Sequence, residues 1–221
     1  MIFLKSLILS FLLLSFQSLF AQSIADRYIG ATGVTYFADF YQTPVSSGIV
    51  EYSNTSELEY VRASDLSLFT FMYTARLNLV EPSDNFAISA SLTPSLGLTF
   101  SDVGTGSFNI PLMVNAEFGA GATYHTTNSV GFTIGAGFEF TKLGLFGDDY
   151  NYGREPKLKD GWVQPALQTG IRYWSKKNKM REINIRLGLG SAQEYREYRG
   201  EEIREVRSLT ARLSFKKFLN Y

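Results

Sequence analysis

The feature that most constrains this chain is an alternation of period two, sustained well beyond an ordinary strand. From Phe86 to Phe100 one parity carries Phe86, Ile88, Ala90, Leu92, Pro94, Leu96, Leu98 and Phe100, all apolar. The other carries Ala87, Ser89, Ser91, Thr93, Ser95, Gly97 and Thr99, all small or hydroxylated. The pattern returns with Phe108, Ile110, Leu112, Val114, Ala116, Phe118, Ala120 and Ala122 against Ser107, Asn109, Met113, Asn115, Glu117, Gly119 and Gly121. It returns again with Val130, Phe132, Ile134, Ala136, Phe138 and Phe140 against Gly131, Thr133, Gly135, Gly137, Glu139 and Thr141. Strict alternation is the mark of a strand with two unlike faces.

Strands of a soluble sandwich usually run about 5 or 6 residues, with the apolar face inward. These run longer, and their polar face is built from small residues with a few charges. That fits a transmembrane strand, which needs roughly 9 to 11 residues to cross, apolar outside and polar inside. A narrow barrel has a lumen just wide enough for its own side chains, so large ones must be rationed. Gly119, Gly121, Gly135 and Gly137 are read as lumen filler. No G-x-G-x-x-G or Walker spacing before a helix supports a phosphate loop. A soluble sandwich is the structural alternative.

Strands are expected near 27–41, 64–80, 86–101, 107–124, 129–143, 161–175, 181–197 and 203–221. The fold class is therefore all-β, an eight-stranded antiparallel up-and-down transmembrane barrel. Glu81–Asn85, His125–Ser129 and Lys176–Lys179 read as short turns; long polar stretches fall near 42–63 and 144–160. Bacterial barrels place short turns in the periplasm and long loops outside, which puts both chain ends on the periplasmic side. The first strand has two registers open, and Tyr28, Val34, Tyr36 and Phe40 outward is preferred. In the last segment Ile203, Val206, Leu209 and Leu213 also fit a helical stripe. A strand is preferred because Leu209, Ala211, Leu213, Phe215, Leu219 and Tyr221 share one parity, interrupted only by Lys217. Without it the sheet edge stays open, which lipid does not tolerate. Lys217, near the periplasmic end, is placed to snorkel to headgroups.

Residues 1–21, MIFLKSLILSFLLLSFQSLFA, have one charge, Lys5, a short apolar run and a small residue before Gln22. This describes a secretory signal peptide cleaved near Ala21, with a barrel domain over 22–221. The run is too short and interrupted for an uncleaved anchor, which needs about 20 apolar residues. Removing it leaves 20 basic against 21 acidic residues. Neutrality argues against nucleic-acid binding, which shows a basic excess or stripe. There is no cysteine and one histidine, which excludes disulfides, thiol chemistry and a multi-histidine metal centre. No cofactor is expected.

Three pieces carry a resemblance: Leu19-Phe-Ala-Gln22, the strand Phe108-Asn-Ile-Pro-Leu-Met-Val114 with its internal proline, and Gly131-Phe-Thr-Ile-Gly-Ala-Gly-Phe138. With the alternation, they make the chain resemble the small outer-membrane β-barrel domain family of Bacteroidetes, the PorT-like group. The terminal Phe215…Leu219…Tyr221 is similar to the aromatic-ended signal read by barrel-assembly machinery. The resemblance implies an outer-membrane barrel, and a subunit of a larger secretion or assembly machine.

On the expected lumen faces the charged residues are Arg76, Glu117, Glu139, Arg172, Glu182, Arg186 and Arg212. Buried charges must be paired, and Arg76, Glu117, Arg172, Glu182 and Arg186 fall in the periplasmic half, where one structural network is expected. A proton path, ion path or gate is the sharper alternative. His125 is the only imidazole; barrel enzymes that deacylate lipid use a Ser-His pair near the outer leaflet. His125 falls in a periplasmic turn beside Thr126, Thr127 and Ser129, so a lipid-modifying enzyme is the remote alternative. Asp148, Asp149, Tyr150 and Tyr152 are candidate loop-binding residues for a cation or glycan, against the plainer reading of a solvated loop. Arg196, Glu197, Arg199, Glu201, Glu202 and Arg204 read as a self-paired hairpin tip, and Lys142 as a rim cation that meets lipopolysaccharide phosphates or only water. The expected function is structural or interactional and non-enzymatic, with membrane lipid, lipopolysaccharide and an outer-membrane protein as partners. The rival is a passive pore.

Overall fold

A computed structural model describes residues 24–44, 46–52, 55–61, 64–101, 104–146, 161–191, 193–196 and 203–220. A single helical turn, α1 (Ile24–Arg27), precedes the first strand. Nine strands build the wall: β1 (Tyr28–Gln42), β4 (Ser64–Ser83), β5 (Phe86–Leu92), β6 (Ser95–Ser101), β7 (Gly104–Gly119), β8 (Val130–Phe146), β9 (Gly161–Trp174), β10 (Met180–Leu189) and β13 (Leu209–Phe218). β5 and β6 occupy one position, since both pair with β4 and β7. They are separated at Thr93-Pro94, where proline has no N–H for the ladder; the Pro94 carbonyl still accepts from Tyr73 N–H at 3.1 Å. The ring closes because β1 pairs antiparallel with both β4 and β13. The result is an eight-position antiparallel up-and-down barrel.

The wall is inside-out relative to a soluble protein. Leu112, Phe138, Leu167 and Phe71 are 60–66% exposed on the outer face. Ser89, Thr99, Asn109, Glu117, Glu139 and Arg172 are buried within the lumen. The first strand takes the preferred register, with Tyr36 outward and Ile29, Ala31 and Thr35 inward. The last segment is a strand, Leu213 and Phe215 out and Arg212, Ser214 and Lys216 in. One-residue irregularities in β1 and β4, between Tyr36 and Asp39 and between Ser67 and Phe69, reset the register toward the long-loop end. Bulges of this kind add twist and help a sheet close.

Three expectations need correcting. The strand placed at 107–124 ends at Gly119. Gly119 and Gly121 have φ of +63° and +67°, which turns the chain inward, so Ala120 and Ala122 are fully buried instead of facing out. These two glycines are turn residues; Gly135 is the lumen filler, where a Cβ would run into the Asn115 side-chain oxygen. The polar stretch near 42–63 contains a hairpin, β2 (Ser46–Tyr52) with β3 (Thr55–Val61). The segment placed at 181–197 leaves the wall at Leu189 and the one placed at 203–221 joins it only at Leu209; between them lies a second hairpin, β11 (Gln193–Arg196) with β12 (Ile203–Val206). That pairing supplies the hairpin expected under the mixed-charge run, whose residues 197–202 lie outside the described set. The segment 1–21 does too.

Candidate functional site

Among the described residues, the lumen gathers buried charged side chains from most of the wall strands. Apolar clusters bracket it. Ile29, Ala31, Met180 and Phe218 pack together near the short-turn end, with Tyr124 and Trp174 against them. Tyr41, Leu143 and Trp162 pack near the long-loop end. Between them the strands place polar residues on consecutive inward positions, and the resulting contacts sort into two charge clusters, with an amide group beside the first.

The first cluster centres on Glu117. Arg172 Nη1 lies 2.9 Å from its Oε2 and Arg76 Nη1 lies 3.5 Å away, while Ser89 Oγ donates to Oε1 at 2.8 Å. Both arginines also donate to the Gly121 carbonyl, Arg172 at 2.9 Å. Arg172 reaches the Phe132 carbonyl at 3.0 Å as well. Asn78 Nδ2 donates to the Ala122 carbonyl at 2.8 Å. The inward turn after β7 is thus held by its carbonyls, and it lies across the mouth. Tyr124 completes the closure by donating its hydroxyl to the Tyr28 carbonyl at 2.7 Å. Arg76 also sits 5.8 Å over the Phe218 ring.

The second cluster is built from side chains. Arg186 Nε donates to Glu139 Oε2 at 3.0 Å, and Gln164 Nε2 donates to Glu139 Oε1 at 2.9 Å. Thr210 donates to the same carboxylate. Arg212 donates to Asp39 Oδ1 at 2.8 Å, to Ser95 Oγ at 2.6 Å and to Tyr41 OH at 2.8 Å. Asn115 donates to Ser91 Oγ at 2.9 Å and accepts from Gln168, and a longer bond to Ser89 ties these amides to the first cluster. A separate pair, Lys216 Nζ to Glu182 Oε1, is 2.9 Å long.

All seven lumen charges expected from the sequence are buried, but the five placed in the periplasmic half do not form one network. Arg76, Glu117 and Arg172 meet. Glu182 pairs instead with Lys216, and Arg186 joins Glu139 in the other cluster, because cross-strand register and not chain position sets the depth of each residue. Asp39, Lys216 and Tyr41 were missed. Their signal was parity: Lys216 alternates with Ser214 and Arg212, and Asp39 lies opposite in parity to outward Phe40. Asp148, Asp149, Tyr150 and Tyr152 lie outside the described residues. His125 is exposed in the β7–β8 turn, its backbone N–H donating to Thr123 Oγ1 at 3.2 Å. Among the described residues no cluster of three or more potential metal ligands occurs.

No family model matches the chain, and neither does any curated protein sequence. Among solved structures it is similar to the N-terminal β-barrel domain of OprF from Pseudomonas aeruginosa, at 13% identity and a TM-score of 0.40 over 87% of this chain and 96% of that one. It is similar to the outer-membrane protein OprG of the same organism, at 11% identity and a TM-score of 0.44 over 88% and 96%. Neisserial surface protein A gives 13% identity and a TM-score of 0.39 over 89% and 99%. At these scores the architecture rests on the strand pairings and not on the likenesses.

Proposed function

We propose that the chain is an integral β-barrel of a Gram-negative outer membrane with a structural or interactional, non-enzymatic role. Its location is supported by the exposed apolar outer face, which needs lipid as solvent. The observation that carries the role is the filled lumen: two apolar clusters bracket charges that each meet a partner. A barrel whose interior is occupied by its own side chains has its rim and loops left for work. The two hairpins at the long-loop end, β2–β3 and β11–β12, are the elements offered to an outer-membrane protein partner, with the Tyr- and acid-containing stretch 147–160 between them in sequence. The family resemblance supports a subunit of a secretion or assembly machine. Lipid and lipopolysaccharide are the surrounding partners.

A gentle-detergent pull-down of the tagged protein from native outer membranes tests this. A stoichiometric outer-membrane partner, lost on deleting residues 46–61 while the barrel still folds, is the expected result. A reproducibly lone barrel would overturn the interaction role.

A further inference from the structure

On the outer face of β9, β10 and β13 the wall changes character within one pleat. Ile171, Ile183 and Phe215 stand side by side in register, all exposed. The next outward row toward the short turns is Tyr173, Arg181 and Lys217, again in register. Arg181 is directly opposite Lys217, and like charges in a cross-strand pair repel. The same two strands do the reverse one residue away on the inner face, where Glu182 faces Lys216 in a salt bridge. The neighbour of Lys217 on β1 is Thr32, which brings no counter-charge.

The β9–β10 turn adds Lys176, Lys177 and Lys179, all exposed. It is a fixed turn: Asn178 N–H donates to the Ser175 carbonyl and Ser175 N–H to the Lys179 carbonyl, each at 2.9 Å, with Asn178 at φ +50°. Among the described residues none of these five cations makes an ion pair, and the acids at this end outside the lumen, Asp26, Glu81 and Asp84, sit on α1 and on β4 with its following turn. A cationic patch therefore sits where the apolar band ends, and its central pair is of like sign.

We propose that this patch binds an anionic phospholipid in the leaflet facing the short turns, its phosphate bridging Arg181 and Lys217 and its chains lying along Ile183 and Phe215. The inference rests on the membrane reading above. A soluble anion would satisfy the charges but leave the adjoining apolar row unused, whereas a phospholipid meets both. Basic clusters at a membrane surface draw anionic lipid in the same way.

The test refolds the full chain into phosphatidylcholine vesicles, with or without a minor share of cardiolipin, then exchanges it into mild detergent for native mass spectrometry. Wild type is expected to retain cardiolipin several-fold better than the R181Q/K217Q double variant, with R181K/K217R restoring retention and K142Q, at the other rim, leaving it unchanged. Equal retention by wild type and the double variant overturns the proposal. So does inorganic phosphate in pure phosphatidylcholine vesicles, if it raises the unfolding temperature of wild type over the double variant as much as cardiolipin does. Insertion is read separately, by the heat-dependent gel shift in phosphatidylcholine alone. Failure of wild type there would overturn the membrane reading itself, while normal insertion without selective retention would overturn only the lipid site.

Discussion

The two lumen clusters use the same chemistry for different ends. Around Glu117 the arginines also donate to backbone carbonyls, those of Gly121 and Phe132, so this cluster holds a turn across the mouth. Around Glu139 and Asp39 the partners are side chains from β1, β6, β7, β9, β10 and β13, so this cluster ties wall to wall. A charge next to backbone fixes a local fold, and a charge next to side chains fixes the relation of distant strands. The first should be the harder to disturb without visible loss of structure.

Glu117→Ala is the strongest way to break the first cluster. It leaves Arg76 and Arg172 buried together without their carboxylate, and the folded state should lose about 3–5 kcal/mol, the usual cost of stripping one partner from a buried pair. The temperature of the gel shift between folded and unfolded bands would drop accordingly, and proteolysis of the β7–β8 turn should speed up with it. Glu117→Gln should lower the same temperature by less, because an amide oxygen can still accept from Ser89. Asp39→Ala breaks the second cluster, but Arg212 keeps Tyr41 and Ser95. We expect about 2–3 kcal/mol from a charge-assisted bond lost with two others kept, and an unchanged turn by proteolysis. Combining Glu117→Ala with Asp39→Ala asks whether the clusters are coupled; independent sites add within about 0.5 kcal/mol, and a larger deviation would make them one network.

Gly188→Ala sharpens the comparison from the packing side. Its Cβ would enter the space held by Glu139, Gln164 and Thr210, and over-packing of this kind costs about 1–3 kcal/mol. The loss should be smaller in the Glu139→Gln background if the carboxylate is what the methyl displaces. The smallest effect is expected for Glu182→Gln, which removes the Lys216 pair but leaves an amide in reach, at about 1 kcal/mol in the same gel-shift assay.

Which residues point inward was legible in the sequence, because period two is a local property and each strand carries its own record of it. Glu117, Glu139, Arg172 and Arg186 were placed in the lumen on that ground alone. Who meets whom was not legible. Arg186 and Glu139 are 47 positions apart, and their meeting depends on the stagger accumulated across β8, β9 and β10, which no single strand encodes. The inward turn at Ala120–Ala122 was hidden for a related reason. Its alanines continue the apolar parity of β7, and only the left-handed backbone of Gly119 and Gly121 ends the strand.

The most direct test of the central claim, that the lumen is a packed and charge-paired core, is planar-bilayer conductance of the purified, refolded wild-type chain. The account expects no steady channel openings above the bilayer background. Reproducible, long-lived openings of fixed amplitude from the folded barrel would contradict it and return the weight to a passive pore.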